Sequence, residues 1–185
     1  MKRLTMMILT LVLGTTVYAQ KYVPQIKGNS IINYTLSQNG QDAPMVLTFT
    51  GFGNPTKIDW NIDGYGSGSY EMSAKALQSG KGLRPNAPDQ DVLTKLPDYQ
   101  TVACISKDAY TDMINKQEFS FDDLKYSVKA DDAVIKANDQ QLDVIHVVAT
   151  NGKGEMWILK NPDFPLICKT KDNAHGMDVS LISIE

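Results

Sequence analysis

The chain has 185 residues, a net charge of −3 at neutral pH and a pI near 5.4. Hydrophobic residues make up 42% of it and charged residues 21%, as in ordinary globular proteins, which excludes a disordered tail, a collagen-like fibre and a disulfide-dense miniprotein. The absence of a basic excess argues against a nucleic-acid-binding protein, and the length predicts one domain.

The first segment, MKRLTMMILTLVLGTTVYAQ, has the three-part pattern of a secretory signal peptide. Lys2 and Arg3 form its basic start, an apolar run follows, and small residues precede a cleavage site after Ala19. A membrane anchor is the alternative, but the apolar run is shorter than the roughly 20 residues of a spanning helix. We therefore predict a signal peptide over 1–19, a single β-rich domain over 20–185 without a transmembrane segment, and a periplasmic or extracellular location. Because the segment holds two basic residues and no acidic ones, cleavage changes the net charge to −5.

Four strands are predicted in the first half of the mature chain from the alternation of apolar and polar residues. Residues 30–37 and 45–50 flank Asn39-Gly40, a turn signal of β-hairpins. Residues 56–62 and 69–73 flank a glycine-rich turn, DGYGSG. Two hairpins are therefore expected here.

Two helices are predicted next. A short helical turn is expected over 74–79, and Ser106 is a suitable N-cap for a helix over 107–116. Between the two helices, residues 80–98 are rich in proline and glycine and indicate an irregular surface crossing, whereas QTVACIS at 100–106 is predicted to be a strand.

The remainder alternates strands with turns. Phe119 to Phe121 and Leu124 to Val128 flank a turn at Asp122-Asp123. Four further strands are predicted at 141–150, 155–160, 164–170 and 177–184. Strands at about ten-residue spacing without crossover helices predict an antiparallel meander.

The two cysteines, Cys104 and Cys168, fall in strand-like runs. An oxidising compartment permits a disulfide between them, which would close a loop of about 64 residues and contribute roughly 4 kcal/mol. Free buried cysteine is an equally good interpretation. The sequence leaves both interpretations open.

One motif matches a calcium-binding loop. Asp59, Asn61, Asp63 and Gly64 fit its first six positions, in which alternate side chains converge on the cation. Tyr70 stands where the bidentate glutamate should be. The alternative is a β-hairpin with Asp59 and Asn61 on one strand face, and this hairpin is the prediction.

Catalytic and metal-binding patterns are missing from the sequence. His146 and His175 are its two histidines, and neither has a second ligand at zinc-site spacing. Neither a G-x-S-x-G motif nor a phosphate-binding P-loop motif occurs. We therefore predict no catalytic residue, no metal site, no cofactor and no enzymatic activity, while the ligand-binding residues remain unknown at this stage.

The tail EMWILKNPDFPLICKTKDNAHGMDVSLISIE resembles the C-terminal end of secreted β-rich proteins from Bacteroidota-type bacteria. Those proteins resemble the lipoprotein-localisation-factor (LolA-like) half-barrel superfamily. The matching elements are the tryptophan strand Met156 to Lys160, the FPL run at 164–166 and the closing LISI; GSGSYEMSAKAL adds to the likeness. The resemblance implies a curved antiparallel sheet that wraps an apolar cavity capped by helices and holding lipid or acyl groups.

These observations predict an α+β, mainly β fold: a curved antiparallel sheet or half-barrel with one or two short helices. The residues expected in its interior are Ile31, Tyr34, Val46, Leu47, Phe49, Trp60, Val144, Val148, Trp157, Leu159, Leu166, Ile167 and Leu181.

The predicted function is a secreted or periplasmic, non-catalytic binding or carrier module with an apolar cavity for a lipid or another apolar small molecule. The alternative is a structural or protein-interaction domain of the cell envelope without a small-molecule site. A hydrolase or other enzyme with a site assembled from scattered residues is a third, weaker hypothesis.

Overall fold

The computed structural model describes residues 21–84, 88–130 and 134–185. The predicted signal peptide lies outside the described residues. Its strands and helices are, in chain order, β1 (Ile31–Gln38), β2 (Gln41–Gly51), β3 (Thr56–Ile62), β4 (Gly66–Met72), α1 (Ala74–Ser79), β5 (Gly82–Leu83), β6 (Leu93–Lys95), β7 (Gln100–Thr101), α2 (Lys107–Lys116), β8 (Glu118–Phe121), β9 (Leu124–Val128), β10 (Lys136–Ala137), β11 (Gln140–Gln141), β12 (Val144–Ala149), β13 (Glu155–Leu159), β14 (Ile167–Lys171) and β15 (Asp178–Ile184).

Eleven strands form one open sheet in the order β6-β4-β3-β2-β1-β15-β14-β13-β12-β9-β8. All neighbours are antiparallel except β4 and β6, which are parallel. The last strand, β15, lies beside the first and joins the two meanders of the sheet. Shifts in register within three strand pairs mark bulges, which bend a sheet. The predicted α+β, mainly β fold is therefore confirmed.

Local sequence signals determine the tight turns. Asn39 and Gly40 both have positive φ (51° and 77°), as do Asp122 and Asp123 (56° and 57°). Two consecutive residues in this region form the type I′ turn that matches the twist of a β-hairpin. Both predicted turns are therefore present, between β1 and β2 and between β8 and β9.

The two helices begin at serine caps. The Ser73 hydroxyl accepts a hydrogen bond from the Ala76 amide, and the Ser106 hydroxyl accepts one from the Ala109 amide. Helix α2 buries Ala109 and Met113 against β8 and its neighbours. Both predicted helices are confirmed. Neither helix of the described chain combines the length and the apolar character that a membrane span requires.

The core consists of two clusters on the inner face of the sheet, which is the face that carries Tyr34, Leu47 and Trp60. The larger cluster packs β1–β4 and β15 against α1 and the segments before β1 and after β7. The smaller cluster packs β8, β9, β12 and β13 against α2.

Nine of the thirteen residues predicted in the interior are buried: Tyr34, Leu47, Phe49, Trp60, Trp157, Leu159, Leu166, Ile167 and Leu181. Ile31, Val46 and Val148 are only half-buried, because strand alternation places them opposite Ile32, Leu47 and Val147. Val144 packs against the larger cluster but is also only half-buried. The prediction was wrong for these four positions.

The predicted strand over 100–106 is wrong in most of its length. Only Gln100–Thr101 is a strand, and Cys104 forms an isolated bridge with Leu166. Between them Ala103 has a φ of 60°, a left-handed conformation that interrupts strand alternation. The Thr101 hydroxyl donates to the Cys104 carbonyl at 2.6 Å and stabilises this bend. The bend brings the backbone of 102–103 to the inner face.

Candidate ligand-binding cavity

A cavity of about 130 Å³ lies on the inner face, between the sheet and three irregular segments. Its walls are mainly apolar. The sheet contributes Tyr34, Leu36, Met45, Leu47, Trp60, Ile62, Tyr70, Ile167, Thr170 and Val179. The irregular segments contribute Leu83, Arg84, Pro88, Val102, Ala103, Asn173, His175 and Met177.

Aromatic rings form one wall of the cavity. The ring centroids of Trp60 and Tyr70 are 6.5 Å apart, and those of Trp60 and Tyr65 are 6.1 Å apart. Burial raises the pKa of Tyr70 to about 12, and the nearby Arg84 guanidinium offsets this effect only in part. The Tyr70 phenol is therefore neutral at physiological pH.

The Trp60 indole lies against a glycine. Gly68 is directly opposite Trp60 on β4. A Cβ at Gly68 would lie 2.9 Å from the indole Nε1 and 3.0 Å from the Asp89 carbonyl oxygen. Glycine at this position therefore lets the indole lie flat on β4 beneath the chain at Asp89.

Arg84 is held at the cavity by three contacts. Its amide donates to the Thr101 carbonyl at 3.0 Å, which continues the pairing of β5 with β7. Its guanidinium lies 5.4 Å from the centre of the Tyr70 ring, within the range of a cation–π interaction. Its Nη2 donates to the Asp89 carboxylate at 3.0 Å. These contacts fix the guanidinium beside the aromatic wall.

Two cavity-lining residues carry an unsatisfied donor. Among the described residues, the buried side-chain nitrogens without a hydrogen-bond partner are Trp60 Nε1 and Arg84 Nε. The indole is 2% exposed, and the Arg84 side chain is 15% exposed. Buried polar groups are almost always hydrogen-bonded, and leaving one unpaired costs about 1–3 kcal/mol. Both donors belong to residues of the same cavity.

The rim of the cavity is built by the turn between β14 and β15. The Asp178 carboxylate accepts hydrogen bonds from the Thr170 hydroxyl and from the amides of Asp172 and Asn173, at 3.0–3.1 Å. His175 Nε2 lies 2.5 Å from Asp122 Oδ2 in the turn between β8 and β9. These bonds tie the rim to a second turn that is distant in sequence.

The floor of the cavity contains Tyr34 and, close to it, both cysteines. The Tyr34 hydroxyl donates to the Ile167 carbonyl at 2.8 Å. Burial, and to a smaller extent the charges of Cys168 and Cys104 when ionised, raises the pKa of Tyr34. The Cys104 and Cys168 thiols are free and buried. Of the two interpretations that the sequence left open, the structure shows free buried thiols.

The calcium-like motif lies on the other face of the sheet. Asp59 and Asn61 point away from Trp60 and border a polar hollow of about 340 Å³ on β2–β4. Asp59 accepts a hydrogen bond from the Ser69 hydroxyl at 2.6 Å. Asp63 lies in the turn, so the three side chains follow a hairpin, as the alternative interpretation predicts. Within the described ranges, no group of three or more His, Cys, Asp or Glu side chains is placed to hold a metal ion.

The two histidines lie in different places. His146 is buried on β12, where its ring stacks on Trp157 with centroids 4.2 Å apart and its Nε2 lies 2.7 Å from Glu155 Oε2. His175 lines the cavity instead. The structure does not bring the two histidines together in one site.

Sequence reasoning missed Arg84 and His175 as cavity residues. Beyond the predicted signal peptide Arg84 is the single arginine of a chain that otherwise uses lysine, and this was the available signal. His175 was interpreted as a turn residue, because its partner Asp122 is 53 residues away in the sequence. Trp60 was predicted in the interior, but its unpaired nitrogen depends on the fold.

The chain matches no known family model, and a search among curated proteins finds no match either. The cavity must therefore be interpreted from its own residues.

Proposed function

We propose that the protein is a non-catalytic binding or carrier module that holds a small apolar molecule, or the end of an apolar chain, in the inner-face cavity. The observation that carries the proposal is a mainly apolar cavity that contains two buried donors without partners. Ligand sites are typically apolar concavities with a few polar groups that fix orientation. The signal-peptide pattern supports action in the periplasm or outside the cell.

The volume of the cavity limits what fits. An apolar cavity of about 150 Å³ binds benzene, so about six carbon atoms fill a cavity of this size. A longer lipid would place only its end inside. The resemblance to the half-barrel superfamily stays a prediction, and the proposal does not depend on it.

The hydroxyl and carboxylate contacts around the cavity favour binding over catalysis. Among the described lining residues, Thr170 carries the one aliphatic hydroxyl, and that hydroxyl donates to Asp178 and accepts from the Val179 amide. His175 is paired with Asp122. A nucleophile must lie within hydrogen-bond reach of its base, and Thr170 is already engaged by other partners.

The first test measures binding of linear alcohols from butanol to octanol by calorimetry. Affinity should rise by about fourfold for each methylene until the cavity is full, because each buried CH₂ contributes about 0.8 kcal/mol. Leu36→Phe narrows the cavity and should weaken hexanol binding by about tenfold, since overfilling a packed site costs about 1–3 kcal/mol.

Thr35→Phe is the matched control, because Thr35 is the preceding residue of β1 and faces the other side of the sheet. Its affinity for hexanol should stay that of the wild type. If no alcohol binds saturably, or if both variants bind hexanol equally, the cavity is not a binding site. That result would favour the structural or protein-interaction domain.

Native mass spectrometry of protein purified from an oxidising compartment gives an independent test. The proposal predicts an additional mass that organic extraction removes. A bare chain mass, together with no alcohol binding, would contradict it.

A further inference from the structure

The two unpaired polar atoms of the cavity have the same hydrogen-bonding character. Trp60 Nε1 and Arg84 Nε are both N–H donors, and neither can accept a hydrogen bond. Both side chains contact the ring of Tyr70, so they lie on one wall. A complementary ligand must therefore bring an acceptor oxygen to this wall.

The other edges of the Arg84 guanidinium are already used. Asp89 binds Nη2, and the ring of Tyr70 covers the face. Asp89 is largely exposed, so solvent screens its charge. A planar guanidinium with a free N–H edge suits a carboxylate or carbonyl oxygen better than a lysine ammonium does. The chain places its one arginine beyond the predicted signal peptide at this position.

We infer that the ligand is an acyl compound whose carboxylate or ester carbonyl oxygen accepts hydrogen bonds from Trp60 Nε1 and Arg84 Nε, while its apolar chain fills the cavity. This inference rests on the proposed binding function and adds the chemical class of the ligand. Both nitrogens are covered in the free protein, so a small rotation of the indole or the guanidinium accompanies binding.

Four six-carbon probes test the head group at constant chain size: hexanoate, methyl pentanoate, hexan-1-ol and hexylammonium. Hexanoate or the ester should bind about tenfold more tightly than hexanol, because the added acceptor satisfies buried donors. Hexylammonium should bind most weakly, since it offers only donors. A preference for hexanoate indicates a free acid, and a preference for the ester indicates an esterified acyl group; either supports the inference.

Variants of the anchor residue provide the second arm. Arg84→Met should lower the affinity for the preferred acyl probe by about tenfold and leave hexanol binding unchanged. Arg84→Lys keeps the positive charge but loses the planar edge, and should behave like Arg84→Met. Lys57→Met is the control, because it removes one positive charge from the exposed side of β3, next to Glu71.

Nuclear magnetic resonance of the wild-type protein avoids substituting the buried Trp60. The chain has two tryptophans, and Trp157→Phe assigns their indole signals. The Nε1 proton of Trp60 should move downfield when the preferred acyl probe binds and should move less with hexanol, while Trp157 serves as an internal reference.

The outcomes separate the two proposals. If none of the four probes binds saturably, the binding function itself fails. If all four bind with equal affinity, or if Arg84→Met weakens hexanol as much as the acyl probe, the cavity binds ligands but the acyl inference is overturned.

Discussion

The Trp60 indole occupies the space that a side chain at Gly68 would need. The two residues are directly opposite each other on β3 and β4. A Cβ at Gly68 would lie 2.8 Å from the indole Cζ2 and 2.9 Å from Nε1, closer than real Cβ atoms approach. The absence of a side chain at position 68 therefore determines where the aromatic wall of the cavity lies.

Replacing this glycine should move the indole. Gly68→Ala should destabilise the fold by about 1–3 kcal/mol, because an added methyl group in a packed interior forces neighbouring groups to shift. Urea unfolding measures this loss. In a Trp157→Phe background the fluorescence of Trp60 should change in the same variant.

Gly51→Ala is the matched control for this prediction. Gly51 also lies in a strand, but a Cβ there would be 3.6 Å from the nearest atom, which is ordinary van der Waals contact. Its free energy of unfolding should change by less than about 1 kcal/mol. Equal losses in the two variants would show that the indole does not rest on Gly68.

A buried hydrogen bond joins β1 to β14 through side chain and backbone. The Tyr34 hydroxyl donates to the Ile167 carbonyl across 133 residues of sequence. Tyr34→Phe removes the donor and should destabilise the protein by about 1–3 kcal/mol, since a buried acceptor loses a partner. Chemical denaturation measures the loss.

The control for Tyr34→Phe is Tyr99→Phe. Tyr99 is 59% exposed, so water replaces any bond that its hydroxyl makes. Its substitution should change the free energy of unfolding by less than about 0.5 kcal/mol. A loss at Tyr34 no larger than that at Tyr99 would contradict the importance of the bond.

Local parts of the fold could be predicted because their causes are local. Asn39-Gly40 and Asp122-Asp123 tolerate positive φ, and Ser106 caps a helix, whatever the rest of the chain does. The prediction failed at Ala103, where a left-handed residue without a glycine signal interrupts a strand-like run. It also failed at Val46, which is as apolar as Leu47 although the two face opposite sides.

The cavity itself could not be predicted, because its walls are distant in the sequence. Trp60 and Arg84 meet only after β4 and β6 pair in parallel and bring the Asp89 region over β4. His175 meets Asp122 only through the order of the whole sheet. Whether a buried donor has a partner is a property of the fold, so sequence patterns do not show it.

The acid stability of the protein should depend on Glu155. Its carboxylate accepts a hydrogen bond from Lys171 Nζ at 3.0 Å and lies 2.7 Å from His146 Nε2. Lys171 chiefly, with His146 in addition, lowers the pKa of Glu155 below its ordinary value of 4.5. A depressed carboxyl pKa contributes stability above the unfolded value, and that stability is lost as the pH falls through the folded value.

Glu155→Gln should therefore lower stability near pH 6, and its difference from the wild type should shrink toward pH 3. Urea unfolding at a series of pH values measures this. Glu118→Gln is the control, since it makes the same charge change in an exposed pair with Lys125. A difference between wild type and Glu155→Gln that stays constant from pH 6 to pH 3 would contradict the prediction.

The thiols of Cys104 and Cys168 should be inert in the folded protein. Burial raises the pKa of both thiols, and the reactive form is the thiolate. Both side chains are closed off from solvent, at 0% exposure. Alkylation of the native protein should therefore proceed only as fast as unfolding, and in denaturant both cysteines should react quickly.

Mass spectrometry before and after alkylation distinguishes this state from a disulfide. The free-thiol structure predicts the full chain mass and two added alkyl groups after denaturation. Cys104→Ala and Cys168→Ala should each accept one group, with equal protection of the remaining thiol in the native state. A mass about 2 Da lower and no reaction in denaturant would instead show the disulfide. That bond would connect the segment after β7 to β14 beside Tyr34, and would restrain the floor of the cavity.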